Sequence, residues 1–132
     1  MATKAQKFYS LPYADWPEEE KEKKRKYARD WKDNPENKLR NYKTSLKRLY
    51  SLTWEDYITL LESQQYCCAI CNKKLDIPGQ GIYNGNNTAV LDHDHVTNKV
   101  RGILCRGCNK ALGTFKDNAD LVYSAYLYLK GK

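Results

Sequence analysis

The chain has 132 residues, 41% hydrophobic and 30% charged, with 23 Lys or Arg against 16 Asp or Glu and a formal net charge of +7. This length suits one domain with at most an appended arm, and its modest core calls for an additional staple. No apolar run approaches the roughly 20 residues that span a bilayer, and the positive balance favours a polyanionic partner such as nucleic acid over a membrane core.

The opening twenty residues lack the apolar stretch of a secretory signal. A cytoplasmic, reducing setting is therefore expected, where cysteines serve as metal ligands more often than in disulfides. Residues 1–16 show no periodicity and are interrupted by Pro12, with Pro17 just beyond, which reads as a draped or poorly ordered arm. From Pro17 the pattern becomes helical, opening on Pro and three acids as a helix N-terminus prefers. Residues 21–48 hold twelve Lys or Arg against four Asp or Glu. Tyr27, Trp31, Leu39, Tyr42, Leu46, Leu49 and Tyr50 interleave with them as a narrow apolar stripe beside a broad basic face. Asn34-Pro35 should break this run into two helices.

A third helix is signalled by Thr53 as N-cap, Asp56 in the capping-box position and the Leu52/Tyr57 staple pair, with Tyr57, Ile58, Leu60 and Leu61 on its buried face. Residues 67–80 read as a cysteine knuckle ending in a Pro78-Gly79 turn, and GIYNGNN (81–87) as a loop. TAVLDH and NKVRGIL have the β-branched content of two strands. A short helix from Cys105, stopped at Gly113, should follow. A last helix should run from about Asn118 with Asp117 as its cap, carrying Leu121, Val122, Ala125 and Leu129 at helical spacing.

Four of the five cysteines form two C-x-x-C pairs, Cys68/Cys71 and Cys105/Cys108, separated by 33 residues. Two such pairs can hold one tetrahedral Zn²⁺ through four thiolates, and four thiolates leave no coordination position for water, so the role is structural. The alternative is four unrelated or redox-active thiols. Cys67 breaks the matching spacing and reads as a bystander.

Between the pairs lies Asp92-His93-Asp94-His95, holding the only two histidines of the chain. A second structural zinc site, a capped turn and a solvated loop are competing readings. No further Cys or His is available for a second closed shell. An open site of carboxylate and amide oxygens suits a hard cation such as Mg²⁺, and metal-assisted phosphodiester hydrolysis needs such a cation with a histidine base.

The run CCAIC … LDHDHVTNKVRGILCRGCNKALG resembles the recombination endonuclease VII family, within the HNH (ββα-metal, His-Me finger) nucleases, over approximately residues 50–130. The resemblance implies an α+β fold: a zinc-tied ββα-metal core with an N-terminal basic helical arm (1–50) and a C-terminal helix, the nuclease domain covering 51–132. It implies Asp92 and Asn109 as ligands of a catalytic Mg²⁺ or Mn²⁺, His93 as general base and His95 at the scissile phosphate. Asn98 stands where relatives often carry Gly, a mild departure because Asn tolerates left-handed backbone.

The function so implied is metal-dependent DNA endonuclease activity, nicking or cutting both strands to 5′-phosphate and 3′-hydroxyl ends, with branched or recombination-intermediate DNA as a candidate substrate and a phage origin. Lys99 and Arg101 are candidate phosphate contacts. In the arm, Lys24, Arg25, Arg29, Arg40, Lys43, Lys47 and Arg48 would neutralise phosphates without reading sequence. A dimer stripe of Tyr27, Trp31 and Tyr42 is the other reading of that arm. The tail to Lys132 leaves little sequence for a resolvase-type dimer arm. Two alternatives stand beside the nuclease: a sequence-reading homing or restriction-type enzyme, and a non-catalytic zinc module that binds nucleic acid.

Overall fold

The computed structural model describes residues 10–79 and 85–132. The first nine residues of the expected arm and residues 81–84 of the expected loop lie outside them. Among the described residues the architecture is α+β, with five α-helices and one two-stranded antiparallel sheet. No helix there is long and apolar enough to cross a membrane. The chain divides into two compact units, the first ending at Lys38 and the second opening at Leu39.

In the first unit, helix α1 spans Glu18–Asp33 and begins on Glu18, Glu19 and Glu20, whose charges complement the helix N-terminus. It buries none of its residues. Just before it, Trp16 is buried, donates Nε1–H to the Leu11 carbonyl at 3.0 Å and meets the Tyr13 ring. Asn34 ends α1 in extended backbone, as the proline after it requires. Its Oδ1 accepts from Glu36 N at 2.9 Å and so opens helix α2, Pro35–Tyr50.

The second unit is built around one apolar core. Leu46 of α2, Tyr57 and Leu61 of helix α3 (Trp54–Ser63), Leu75 and Ile77 of the following segment, and Leu91, Ile103 and Leu104 of the sheet pack together. Each of the fully buried side chains contributes about 1.5–3 kcal/mol by leaving water. Helix α3 starts as its sequence specifies: Thr53 Oγ1 accepts from Asp56 N at 3.1 Å and Asp56 Oδ2 accepts from Thr53 N at 3.0 Å. These donors hold the Asp56 carboxyl below its usual range. Gly79, at φ +83°, makes the expected turn after Pro78.

Strands β1 (Ala89–His93) and β2 (Val100–Cys105) form an antiparallel hairpin. Helix α4, Arg106–Thr114, follows β2 without a break and packs on both strands. It runs one residue past Gly113, the expected stop. Helix α5, Ala119–Leu129, is capped by Asn118, whose Oδ1 accepts from Asp120 N and Leu121 N at 2.9 and 3.1 Å. Asp117, expected as the cap, is engaged elsewhere. The apolar residues of α5 do not form a buried face: Leu121, Val122 and Leu129 are all exposed.

Candidate active site and metal centre

The cysteine quartet is assembled by two local structures. After α3, Cys68 N donates to the Lys73 carbonyl at 2.8 Å and Asn72 N to the Cys68 carbonyl at 3.0 Å, while Asn72 takes φ +60° to close the knuckle. At the other end, Cys105 finishes β2 and its Sγ accepts from Cys108 N at 3.3 Å, so the thiol caps α4. The four Sγ atoms of Cys68, Cys71, Cys105 and Cys108 lie within 4.8 Å of one another, with Cys71 and Cys105 Sγ 3.8 Å apart. Zn–S bonds of about 2.3 Å in a tetrahedron put sulfurs about 3.8 Å apart. The quartet therefore fits and could hold a structural metal such as zinc. Cys67 stands outside the group, its thiol donating to the Gln65 carbonyl at 3.3 Å.

The thiols are electrostatically unequal. Burial raises the Cys108 thiol well above its ordinary range, and the sulfurs of Cys105, Cys71 and Cys68 add to this. Burial also opposes ionisation of Cys68, but the backbone groups of Cys71, Cys105 and Ile70 outweigh it and lower that thiol. A bound divalent cation would compensate all four sulfurs as thiolates.

The knuckle is fastened to β2 by Gln64, a residue with no sequence signal. Its Nε2 donates to the carbonyls of Cys67 and Ile103 at 2.9 and 2.8 Å, and its Oε1 accepts from Ile103 N at 2.9 Å. This contact also explains Gly102, where a Cβ would lie 3.2 Å from Gln64 Oε1.

The acid-histidine cluster falls at the end of β1 and in the turn after it. The hairpin pairs Asp92 with Gly102 and His93 with Val100, leaving Arg101 opposite neither. This bulge re-aims Arg101. Its Nε donates to Asp92 Oδ2 at 2.7 Å and its Nη2 to Asp92 Oδ1 at 3.0 Å. The Asp92 carboxylate raises the Arg101 guanidinium further. Asp92 itself is only 7% exposed. Arg101, though exposed, is thus paired with a buried carboxylate instead of merely solvated.

Asp94 shapes the turn. Its Oδ1 accepts from Val96 N and Thr97 N, both at 2.8 Å, and these donors lower its carboxyl. Asn98 adopts φ +59°, the left-handed backbone its position suggested, and its Nδ2 donates to the Leu49 carbonyl at 2.9 Å. The turn is thereby tied to the end of α2. There the Tyr50 ring lies 5.0 Å from that of His93, which in turn lies 4.8 Å from that of His95. His95 is exposed and its Nε2 meets Asp117 Oδ2 at 3.1 Å, an oxygen also 3.6 Å from Arg101 Nη2.

An open cleft of about 500 Å³ is lined by His95, Arg101 and Asp117 together with Asp94, Val96, Gly113 and Lys116. Asn109 is half-buried in the first turn of α4, the helix that packs on β1. Tyr50 and Asp117 are the neighbours of the histidines that sequence reasoning missed. Asp117 precedes another cap-competent residue, and nothing local distinguishes the two.

The basic candidates behave differently along the chain. In α1, Arg25 is paired with Glu18 and Glu22, Arg29 with Glu22, and the Lys24 ammonium sits 4.7 Å from the Trp16 ring centroid. In α2, Lys43 lies over the Trp54 ring at 4.8 Å. Arg40, Lys47 and Arg48 are exposed and form no ion pair among the described residues, and Lys99 is exposed in the turn.

With this geometry in place, the comparisons with known proteins are specific. The family model of recombination endonuclease VII matches residues 43–131. The Gene 59 protein of Mycobacterium phage D29 is 34% identical over 92 residues, which is 68% of this chain and 50% of that protein. The Gene 59 protein of Mycobacterium phage L5 is 33% identical over 91 residues, 67% of this chain and again 50% of the relative. The chain thus spans about half the length of these phage relatives. No solved structure matches it. The matched segment runs from α2 through both cysteine pairs, the hairpin and α5, and the chain belongs to the recombination endonuclease VII family.

Proposed function

We propose that this protein is a metal-dependent DNA endonuclease whose hairpin and α4 act as a zinc-tied ββα-metal (HNH, His-Me finger) core. The observation that carries this reading is a buried carboxylate, Asp92, adjoining His93 at the end of β1, the strand on which α4 packs. Arg101 supplies the counter-charge of the Asp92 carboxylate in this structure, and that carboxylate with the amide oxygen of Asn109 would form a donor set suited to a hard cation. These two residues would hold Mg²⁺ or Mn²⁺. When bound, that ion supplies charge stabilisation for the scissile phosphate and the departing oxygen.

The remaining work belongs to the chain itself. His93, its ring beside those of Tyr50 and His95, takes a proton from water. The water oxygen forms a bond to phosphorus while the P–O3′ bond breaks. The phosphate stays on the 5′ side, and the departing 3′ oxygen takes a proton from solvent to become a hydroxyl. His95, exposed at the cleft, contacts the scissile phosphate. A zinc held by the four cysteines would have no open position, and these thiolates would fix the position of Asn109, one residue after Cys108. Residues 51–132 form the nuclease domain, whose core also takes in Leu46 of α2, and the cations of the basic segment before it neutralise phosphates. Duplex DNA is the substrate class, and branched recombination intermediates are the form the family description points to.

The test is a cleavage panel of four-way junction, flap, mismatched and plain duplex DNA with and without EDTA. Cleavage should vanish in EDTA and return with Mg²⁺ or Mn²⁺. His93→Ala should lose cleavage by at least about 10²-fold and keep DNA binding and far-UV circular dichroism. Full activity in chelator, or an active His93→Ala protein, would overturn the reading.

A further inference from the structure

Both oxygens of the buried Asp92 carboxylate are taken by Arg101, at 2.7 and 3.0 Å. A bidentate guanidinium is the closest substitute a protein side chain offers for a cation bound to a carboxylate. The same guanidinium has a second acceptor within reach, since Arg101 Nη2 lies 3.6 Å from Asp117 Oδ2. That oxygen also lies 3.1 Å from His95 Nε2. One arginine therefore stands between two carboxylates, fully engaged with one and loosely with the other. Asp117 reaches this place because Lys116 and Asp117 both take left-handed backbone, φ +53° and +52°. Arg101 reaches it because the hairpin bulges at that residue.

We propose that Arg101 is a stand-in for the divalent cation at Asp92 and that Asp117 is its second seat. This inference rests on the reading of Asp92 as a cation ligand. The physical reason is charge. The guanidinium takes both oxygens of Asp92, so an incoming divalent ion must displace at least one of these bonds, and two positive centres a few ångströms apart repel. When Asp92 takes up the ion, Arg101 swings the short way to Asp117. His95 Nε2 then loses its partner on Asp117 and becomes available to a substrate phosphate in the cleft. Two effects follow: Arg101 lowers the affinity for the cation by competing for its ligand, and cation binding frees the histidine.

The experiment measures Mn²⁺ binding to the full zinc-loaded chain by electron paramagnetic resonance of the free ion, without DNA. Asp92→Asn should lose the Mn²⁺ site. Arg101→Gln should bind roughly tenfold more tightly than the wild type, the size of a typical coupling between two linked events. Asp117→Asn should bind several-fold more weakly, and this penalty should largely disappear when Arg101 is already Gln, because the two residues act through one another. Zinc content and circular dichroism report folding. Arg101→Lys, which keeps the charge but not the fork, should show an intermediate gain if the Gln variant is unstable.

Unchanged or weaker Mn²⁺ binding in both Arg101 variants, with binding lost in Asp92→Asn, would overturn the stand-in while leaving Asp92 as a ligand. An equal Asp117→Asn penalty with and without Arg101 would overturn the second seat. Undiminished Mn²⁺ binding in Asp92→Asn would overturn both the inference and the ligand reading beneath it.

Discussion

Asn98 shows how one residue can serve backbone and tertiary structure together. Its φ of +59° costs an ordinary L-residue about 1–2 kcal/mol, a penalty Asn reduces and Gly avoids. Its side chain also ties the turn bearing His95 to the Leu49 carbonyl at 2.9 Å. The two roles separate by substitution. Asn98→Gly keeps the backbone and removes the tie, so urea denaturation should show a loss of about 1 kcal/mol. Asn98→Val removes both and should cost at least about 2 kcal/mol. Equal stability of the Val and Gly variants would show that the left-handed backbone carries no cost there. Arg101 makes the same point from the other side: a residue that reads as a surface cation is the counter-charge of a buried carboxylate.

At the scale of elements, the two basic helices are not equivalent. The first-turn acids Glu18, Glu19 and Glu20, with Glu22 after them, lie three, four and seven residues from the cations of α1 and bind Lys23, Arg25 and Arg29. Such exposed pairs add little to stability, but they occupy the charges that would meet phosphates. The last turns of α2 carry Lys47 and Arg48, which have no acidic partners among the described residues, and this end of the helix is tied to the turn of the candidate site. Lys47→Ala with Arg48→Ala should therefore lower DNA affinity and flatten its salt dependence by about 0.9 for each phosphate no longer neutralised. Arg25→Ala with Arg29→Ala should change that slope much less. Titrations of a duplex oligonucleotide at several salt concentrations would decide it, and a larger slope change in the α1 pair would refute this ranking.

For the molecule as a whole, the second unit has a small core and the cysteine quartet lies along one side of it. Cys68 and Cys105 belong to both, being buried members of the core and of the metal-competent group. Cys105 also ends β2 and caps α4, so a metal there would fix the start of the helix that carries Asn109. Verified removal of zinc by a strong chelator should lower the melting temperature markedly and reduce helical signal, and Cys105→Ala should do the same without chelator. An unchanged melting curve after the metal is shown to be gone would separate the fold from the quartet. Affinity for zinc should also fall on acidification, because the thiols must lose their protons to bind as thiolates.

The sequence by itself determined what depends on neighbours within a turn or two. The helix break at Asn34-Pro35, the capping box at Thr53, the hairpin and the two C-x-x-C knuckles are all local: each follows from backbone restriction, a side chain reaching three residues along, or alternation on a pleat. Spacing also distinguished the four clustered cysteines from Cys67, since matched knuckles impose it. Only the tertiary structure decided which long-range partner each polar group found. Gln64 reaches Ile103, Asn98 reaches Leu49 and Asp117 turns from a helix cap to His95 and Arg101. The exposed apolar face of α5 was beyond the sequence for the same reason. Helical spacing shows that a stripe exists, while burial depends on whether the rest of the chain folds against it.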